Sequence, residues 1–166
     1  KPLSRPRGVP FVCIVECTLA QSVLFRVRVV NDKQVRTATS NYLIELGNAC
    51  ADMGGTLMVF GSPFQRSCED GMSTEQAMAN AAEVFGACLP AFADRGVSIC
   101  MEPLTPKETD FINTCAQAIE LIEMVGQPNF TLHQDVKAML GAESSSVPEL
   151  IHEFKGRVGH FHVNDT

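Results

Sequence analysis

Apolar residues recur at helical spacing from Gln34 to Met53, with Val35, Tyr42, Leu43, Leu46, Ala49 and Cys50 on one face. Gly54-Gly55 closes that run as a helix stop. Thr56 to Phe60 (TLMVF) is then a short apolar run ended by Gly61-Ser62-Pro63, the pattern of a strand buried on both faces. A second helical pattern extends from about Thr74 to Arg95. Ser73 is its expected N-cap and Gln76 the capping-box partner, while Pro90 inside it predicts a kink or a division. Gly96 ends the pattern, and Val97 to Met101 reads as the next strand. A helix from about Thr114 to Val125 is stopped by Gly126 and Pro128. Phe130 to Gln134 is a strand, Val147 to Phe154 a short helix with Pro148 near its first position, and Arg157 to Val163 a final strand. Upstream, Val9 to Val15 and Val23 to Val30 both look strand-like, joined by a stretch without a clear period.

Strands alternating with helices every roughly 30 to 40 residues are the mark of parallel βα units. About five or six strands fit equally a doubly wound sheet or part of a (β/α)8 barrel, whose complete form takes about 250 residues. Periodicity does not choose between them.

Composition narrows the class. The 166 residues suit one domain, and 45% hydrophobic with 19% charged residues is the balance of a soluble globular chain with a real core. A net charge of −6 argues against a nucleic-acid partner, since phosphate binding needs a local basic excess. Lys1, Arg5 and Arg7 crowd the start, but Pro2, Pro6 and Pro10 make that segment an irregular lead-in. Seven cysteines, none in a CxxC pair and most among apolar neighbours, read as free thiols of a reducing compartment. With no secretory leader pattern and no apolar run near the length of a membrane span, the expected location is the cytoplasm, with no membrane partner.

The chemistry lies at the strand ends. Glu102 follows the strand VSICM, Asp135 follows FTLHQ, and His162 lies near the end of RVGHFHV. In parallel α/β folds the carboxyl ends of the strands converge on the ligand crevice, so these three groups are expected to face one site. Two carboxylates and an imidazole suit Mn2+, Co2+ or Mg2+, and the lack of thiolate ligands disfavours structural zinc. His160 and His162 are two apart on a strand, so either could face the site.

GSP-x-x-R (Gly61 to Arg66), MEPL (Met101 to Leu104), LHQD (Leu132 to Asp135) and GHFHVND (Gly159 to Asp165) occur in order. Together they resemble the sugar phosphate isomerase/epimerase group of xylose-isomerase-like barrels, which includes ketose 3-epimerases. The resemblance covers about residues 35 to 166; residues 1–25 are left as an unassigned lead-in. It implies a partial (β/α)8 TIM barrel, about strands 3–7, forming one incomplete domain over residues 1–166.

In that family a divalent ion is held by Glu, Asp, His and Glu on the fifth to eighth strands. The resemblance puts Glu102, Asp135 and His162 in the first three places and prefers His162 to His160, because the second His of an H-x-H pattern is the usual ligand. Mn2+ is the expected ion, with Co2+, Mg2+ and Zn2+ as alternatives. Glu108 matches a position near the substrate's terminal hydroxyl. Arg66 could reach a phosphate or hydroxyl, unless it is an exposed loop residue. Lys137, read as the start of a solvated loop, could stand in for a substrate-contacting His of many relatives, whose place is held here by Ala138. His160 is a further substrate candidate.

The implied reaction is proton transfer at a carbon beside a carbonyl, with the metal stabilising developing negative charge and Glu102 as one of two opposed carboxylates. The substrate would be a small sugar or sugar phosphate. Two departures accompany this: the family's fourth ligand and an Arg beyond the ligand His are missing from these 166 residues, so at most weak metal binding and little or no isomerase activity are expected of this chain alone. An incomplete barrel would also expose strand edges, which implies a homo-oligomer. The competing readings are a non-catalytic barrel fragment and, disfavoured by charge and by Ala138, an apurinic endonuclease-like DNA repair enzyme.

Overall fold

The structure, a computed structural model, describes residues 11–13, 30–63, 66–68 and 71–164. Its elements in chain order are β1 (Phe11–Cys13), α1 (Lys33–Asp52), β2 (Gly55–Phe60), α2 (Thr74–Asp94), β3 (Ser98–Met101), α3 (Cys115–Val125), β4 (Phe130–Asp135), α4 (Val136–Ala142), α5 (Val147–Glu153) and β5 (Val158–His162). The five strands form one sheet in the order β1-β2-β3-β4-β5, and each neighbouring pair is parallel. A doubly wound sheet reverses its strand order at a switch point. Here the order never reverses, so the chain winds one way, as a barrel does. The fold is a partial TIM barrel.

Local chemistry explains the boundaries. Asp32 caps α1, its Oδ1 accepting from the Gln34 and Val35 N–H groups at 2.8 and 3.4 Å. Ser73 caps α2 as expected, accepting from Gln76 N at 3.2 Å. The capping box does not close, because the Gln76 side chain donates instead to Asn80 Oδ1 at 3.0 Å. Pro90 neither divides α2 nor ends it. Its ring is solvent-exposed, and the Gly86 carbonyl that loses its helical donor lies on the same face, where water can reach it. Thr114 and Gln117 form a full capping box on α3, and Gly126 ends it at φ 66°, the left-handed conformation glycine supplies without strain.

A further expectation is corrected, and another falls largely outside the described residues. Lys137 opens no loop: residues 136–142 form α4, with Asp135 as its N-cap. The Val23 to Val30 strand lies outside the described residues except for Val30, which is buried and not in a strand; of Val9 to Val15 only β1 is described.

The core lies between the sheet and α1–α3. Phe85 of α2 is its hinge-pin: its ring stacks on Phe130 (centroids 4.7 Å apart) and meets Phe60 edge-on at 5.1 Å. Burying one such side chain contributes about 1.5–3 kcal/mol. Arg36 on α1 is buried as well, bridging Glu83 of α2 (Nε to Oε2 2.9 Å) and the carbonyls of Val30 and Asn31. Cys68, Cys88, Cys100 and Cys115 are free thiols and Cys50 is buried; the side chains of Cys13 and Cys17 lie outside the described residues. Among the described residues no helix is long and apolar enough to cross a membrane.

Candidate metal centre

Three adjacent strands deliver the site. Glu102 sits immediately beyond β3, and its N–H bonds the Phe60 carbonyl at 3.1 Å, extending the β2–β3 ladder by one residue. Asp135 is the last residue of β4 and His162 the last of β5, and the two are register partners. One step deeper, His133 pairs with His160. Strand side chains alternate, so His133 shares Asp135's face and His160 shares that of His162.

Donor atoms of Glu102, His133, Asp135 and His162 all lie within 4.8 Å of one another. Within this group His162 Nδ1 is 3.4 Å from Asp135 Oδ2, and His133 Nδ1 is 3.7 Å from Glu102 Oε1. His133 is fully buried, yet neither of its ring nitrogens has a hydrogen-bond partner, and His162 Nε2 is buried and unpartnered too. A buried polar group left without a partner costs about 1–3 kcal/mol, so such groups call for an unseen partner. Burial, with the nearby His162 and His160 rings, pushes the His133 imidazole down to about 3, so that it is neutral at pH 7 and keeps a lone pair to give. Two carboxylates and two imidazoles fit a borderline divalent cation.

The GSP turn makes room for this. A Cβ on Gly61 would stand 1.6 Å from Glu102 Oε2, so only glycine lets the carboxylate take its place. Arg66, three residues past Pro63, is no exposed loop residue. Its guanidinium is completely buried behind the site, with Nη1 donating to the Glu102 carbonyl and reaching Met101 Sδ at 3.5 Å. Burial lowers it to about 10, against the opposing pull of Glu102 and Glu108.

The other sequence candidates are not among the four donors. Glu108 is exposed and closes its own turn, its Oε2 accepting from Thr105 N at 3.0 Å and Thr105 Oγ1 at 2.8 Å. Lys137 is an exposed residue of α4 that uses its backbone N–H on Asn164 Oδ1. His160 lies beside the donor group, its ring centroid 4.9 Å from that of His162 and 5.3 Å from that of His133, and burial holds it below the usual imidazole range. The sequence reading passed over His133. Its signal was available: it stands two residues before Asp135 on one strand, the same spacing that linked His160 to His162.

Residues 15–166 match the family described as the xylose isomerase-like TIM barrel. Among solved structures, the chain is similar to D-psicose 3-epimerase from Clostridium cellulolyticum H10, solved with D-tagatose, at 16% identity and TM-score 0.77, covering 86% of this chain and 50% of that one. A 3-keto-D-glucoside 4-epimerase from E. coli matches at 18% identity and TM-score 0.71, covering 83% and 55%. The IolI protein, solved with a bound zinc atom, matches at 20% identity and TM-score 0.64, covering 82% and 47%. At these identities the likeness shows the fold alone. The chain spans about half the length of these solved relatives. No curated protein matches it.

Proposed function

Because the chain belongs to the xylose isomerase-like TIM barrel family, we propose that it carries the metal half of a sugar isomerase or epimerase site, acting by proton transfer beside a carbonyl. The observation that supports this is the convergence of donor atoms from Glu102, His133, Asp135 and His162 at one mouth of the sheet. These four would hold a divalent cation, Mn2+ in first place, with Co2+, Mg2+ and Zn2+ as alternatives. When bound, that ion supplies Lewis-acid stabilisation for negative charge on the substrate's oxygens.

The chain's own groups divide the remaining work. Glu102 takes and returns the proton at the carbon beside the carbonyl. Arg66 fixes the main chain that carries Glu102, through its bond to the Glu102 carbonyl. His160, half-buried at the edge of the donor group, would touch a substrate hydroxyl. Glu108 and Lys137 would act only on parts of a substrate that extend over the loop and α4. The substrate class is a small sugar or sugar phosphate; the similar solved proteins include a D-psicose 3-epimerase solved with D-tagatose. A cytoplasmic setting and self-association through the sheet edges belong to the same proposal.

The test is titration of the chain with each of the four cations by calorimetry, then incubation with a panel of ketoses and ketose phosphates in D2O. Cation uptake with deuterium entering beside the carbonyl, lost in Glu102→Gln, is the expected result. A wild-type chain that takes up none of the four cations overturns the reading.

A further inference from the structure

Asn164, two residues beyond His162, makes two contacts that belong to no element of the fold. Its Nδ2 donates to Asp135 Oδ2 at 2.8 Å, and its Oδ1 accepts from the Lys137 backbone N–H at 3.0 Å. The second contact decides the first: with the amide oxygen facing an N–H donor, the amide nitrogen must face the carboxylate, and the group cannot flip without losing both bonds. Asp135 Oδ1 is meanwhile held by the Ala138 N–H at 2.9 Å. Each oxygen of this buried carboxylate therefore has one fixed donor, which stops rotation about its terminal bond. Oδ2, the oxygen 3.4 Å from His162 Nδ1, keeps a lone pair for another partner.

We infer that Asn164 is a positioning residue for Asp135, locking the carboxylate so that Oδ2 is presented to the cation beside His162. The inference rests on the reading of Asp135 as a ligand. It assigns two tasks to the end of β5: one side chain donates to the ion, and the next on the same face orients the ligand of the neighbouring strand. Partners of this kind set ligand geometry, and their loss typically lowers metal affinity 10- to 100-fold.

Asn164→Ala and Asn164→Leu, each in the full chain, test this by Mn2+ calorimetry, the visible absorption of added Co2+, and melting of the metal-free protein. The expected result is a 10- to 100-fold weaker Mn2+ affinity in both, an altered Co2+ spectrum, and cooperative metal-free melting like that of the wild type. Wild-type affinity in either variant overturns the assignment. Loss of the cooperative metal-free transition in both does so as well, because Asn164 would then be a tether between β5 and α4. If the wild-type chain itself takes up no cation, the metal reading falls and this inference with it, an outcome distinct from a wild type that binds and variants that bind equally well.

Discussion

The imidazole of His133 lies against the Glu102 carboxylate, Nδ1 to Oε1 3.7 Å, with both ring nitrogens buried and unpartnered. A protein tolerates such a ring where its lone pair serves a purpose that offsets the cost. His133→Leu, close in volume, is therefore expected to leave the metal-free protein as stable as the wild type or up to about 1 kcal/mol more stable, since a polar group lacking partners is removed. The same change is expected to weaken Mn2+ or Zn2+ binding at least about tenfold, in the range seen when a metal-site group is lost. Denaturant melts and calorimetry check the two halves separately.

The same ring makes stability depend on pH. Its imidazole is held down to about 3 in the fold, against an ordinary value of about 6.5. Between those limits the unfolded chain binds a proton that the folded chain refuses. The stability present above pH 6.5 is thus lost progressively as pH falls toward 3, at no more than about 1.4 kcal/mol per pH unit. Urea unfolding of the metal-free protein from pH 7 to pH 4 should show this slope, and His133→Leu should flatten it.

Gly61 is predicted to be irreplaceable at the site. The Cβ of Gly61→Ala would fall 1.6 Å from Glu102 Oε2, so the carboxylate must swing away from the donor group. Because the clash falls on the end of a flexible side chain that can move aside, stability should change little while metal affinity falls. Thermal melts with and without Mn2+ separate the effects: the metal-induced rise in melting temperature should disappear.

Phe85→Ala supplies the opposite pattern. Phe85 packs its ring against Phe60 and Phe130 in the core and is not one of the four donors. Its truncation should cost about 3–5 kcal/mol of stability. Metal affinity per folded molecule should remain that of the wild type, read by calorimetry at a temperature where the variant is folded.

Much of the architecture was legible along the chain. The helix over residues 33–52, the strand ending at Phe60 and the strands that precede Glu102 and Asp135 fall within one or two residues of the expected limits. The helices between these strands are bounded by local signals that act whatever surrounds them, such as the Ser73 and Thr114 caps and the glycine at 126. The helix after Asp135 was missed because its seven residues carry too little apolar period to register, and its start depends on Asp135 acting as cap and strand end at once. Pro90 was expected to bend or split its helix and does not split it, since the lost hydrogen bond falls on the wet side.

Alternating polarity and strand-end chemistry were enough to bring Glu102, Asp135 and His162 to one rim, because side-chain direction in a strand is a local property. The winding sense of the sheet, the burial of Arg66 behind Glu102, the admission of His133 to the donor group and the grip of Asn164 on Asp135 were decided only in three dimensions. Those relations join residues 29 to 36 positions apart, and what sets them is the register between neighbouring strands. Register comes from how whole faces pack, which no single stretch of sequence contains.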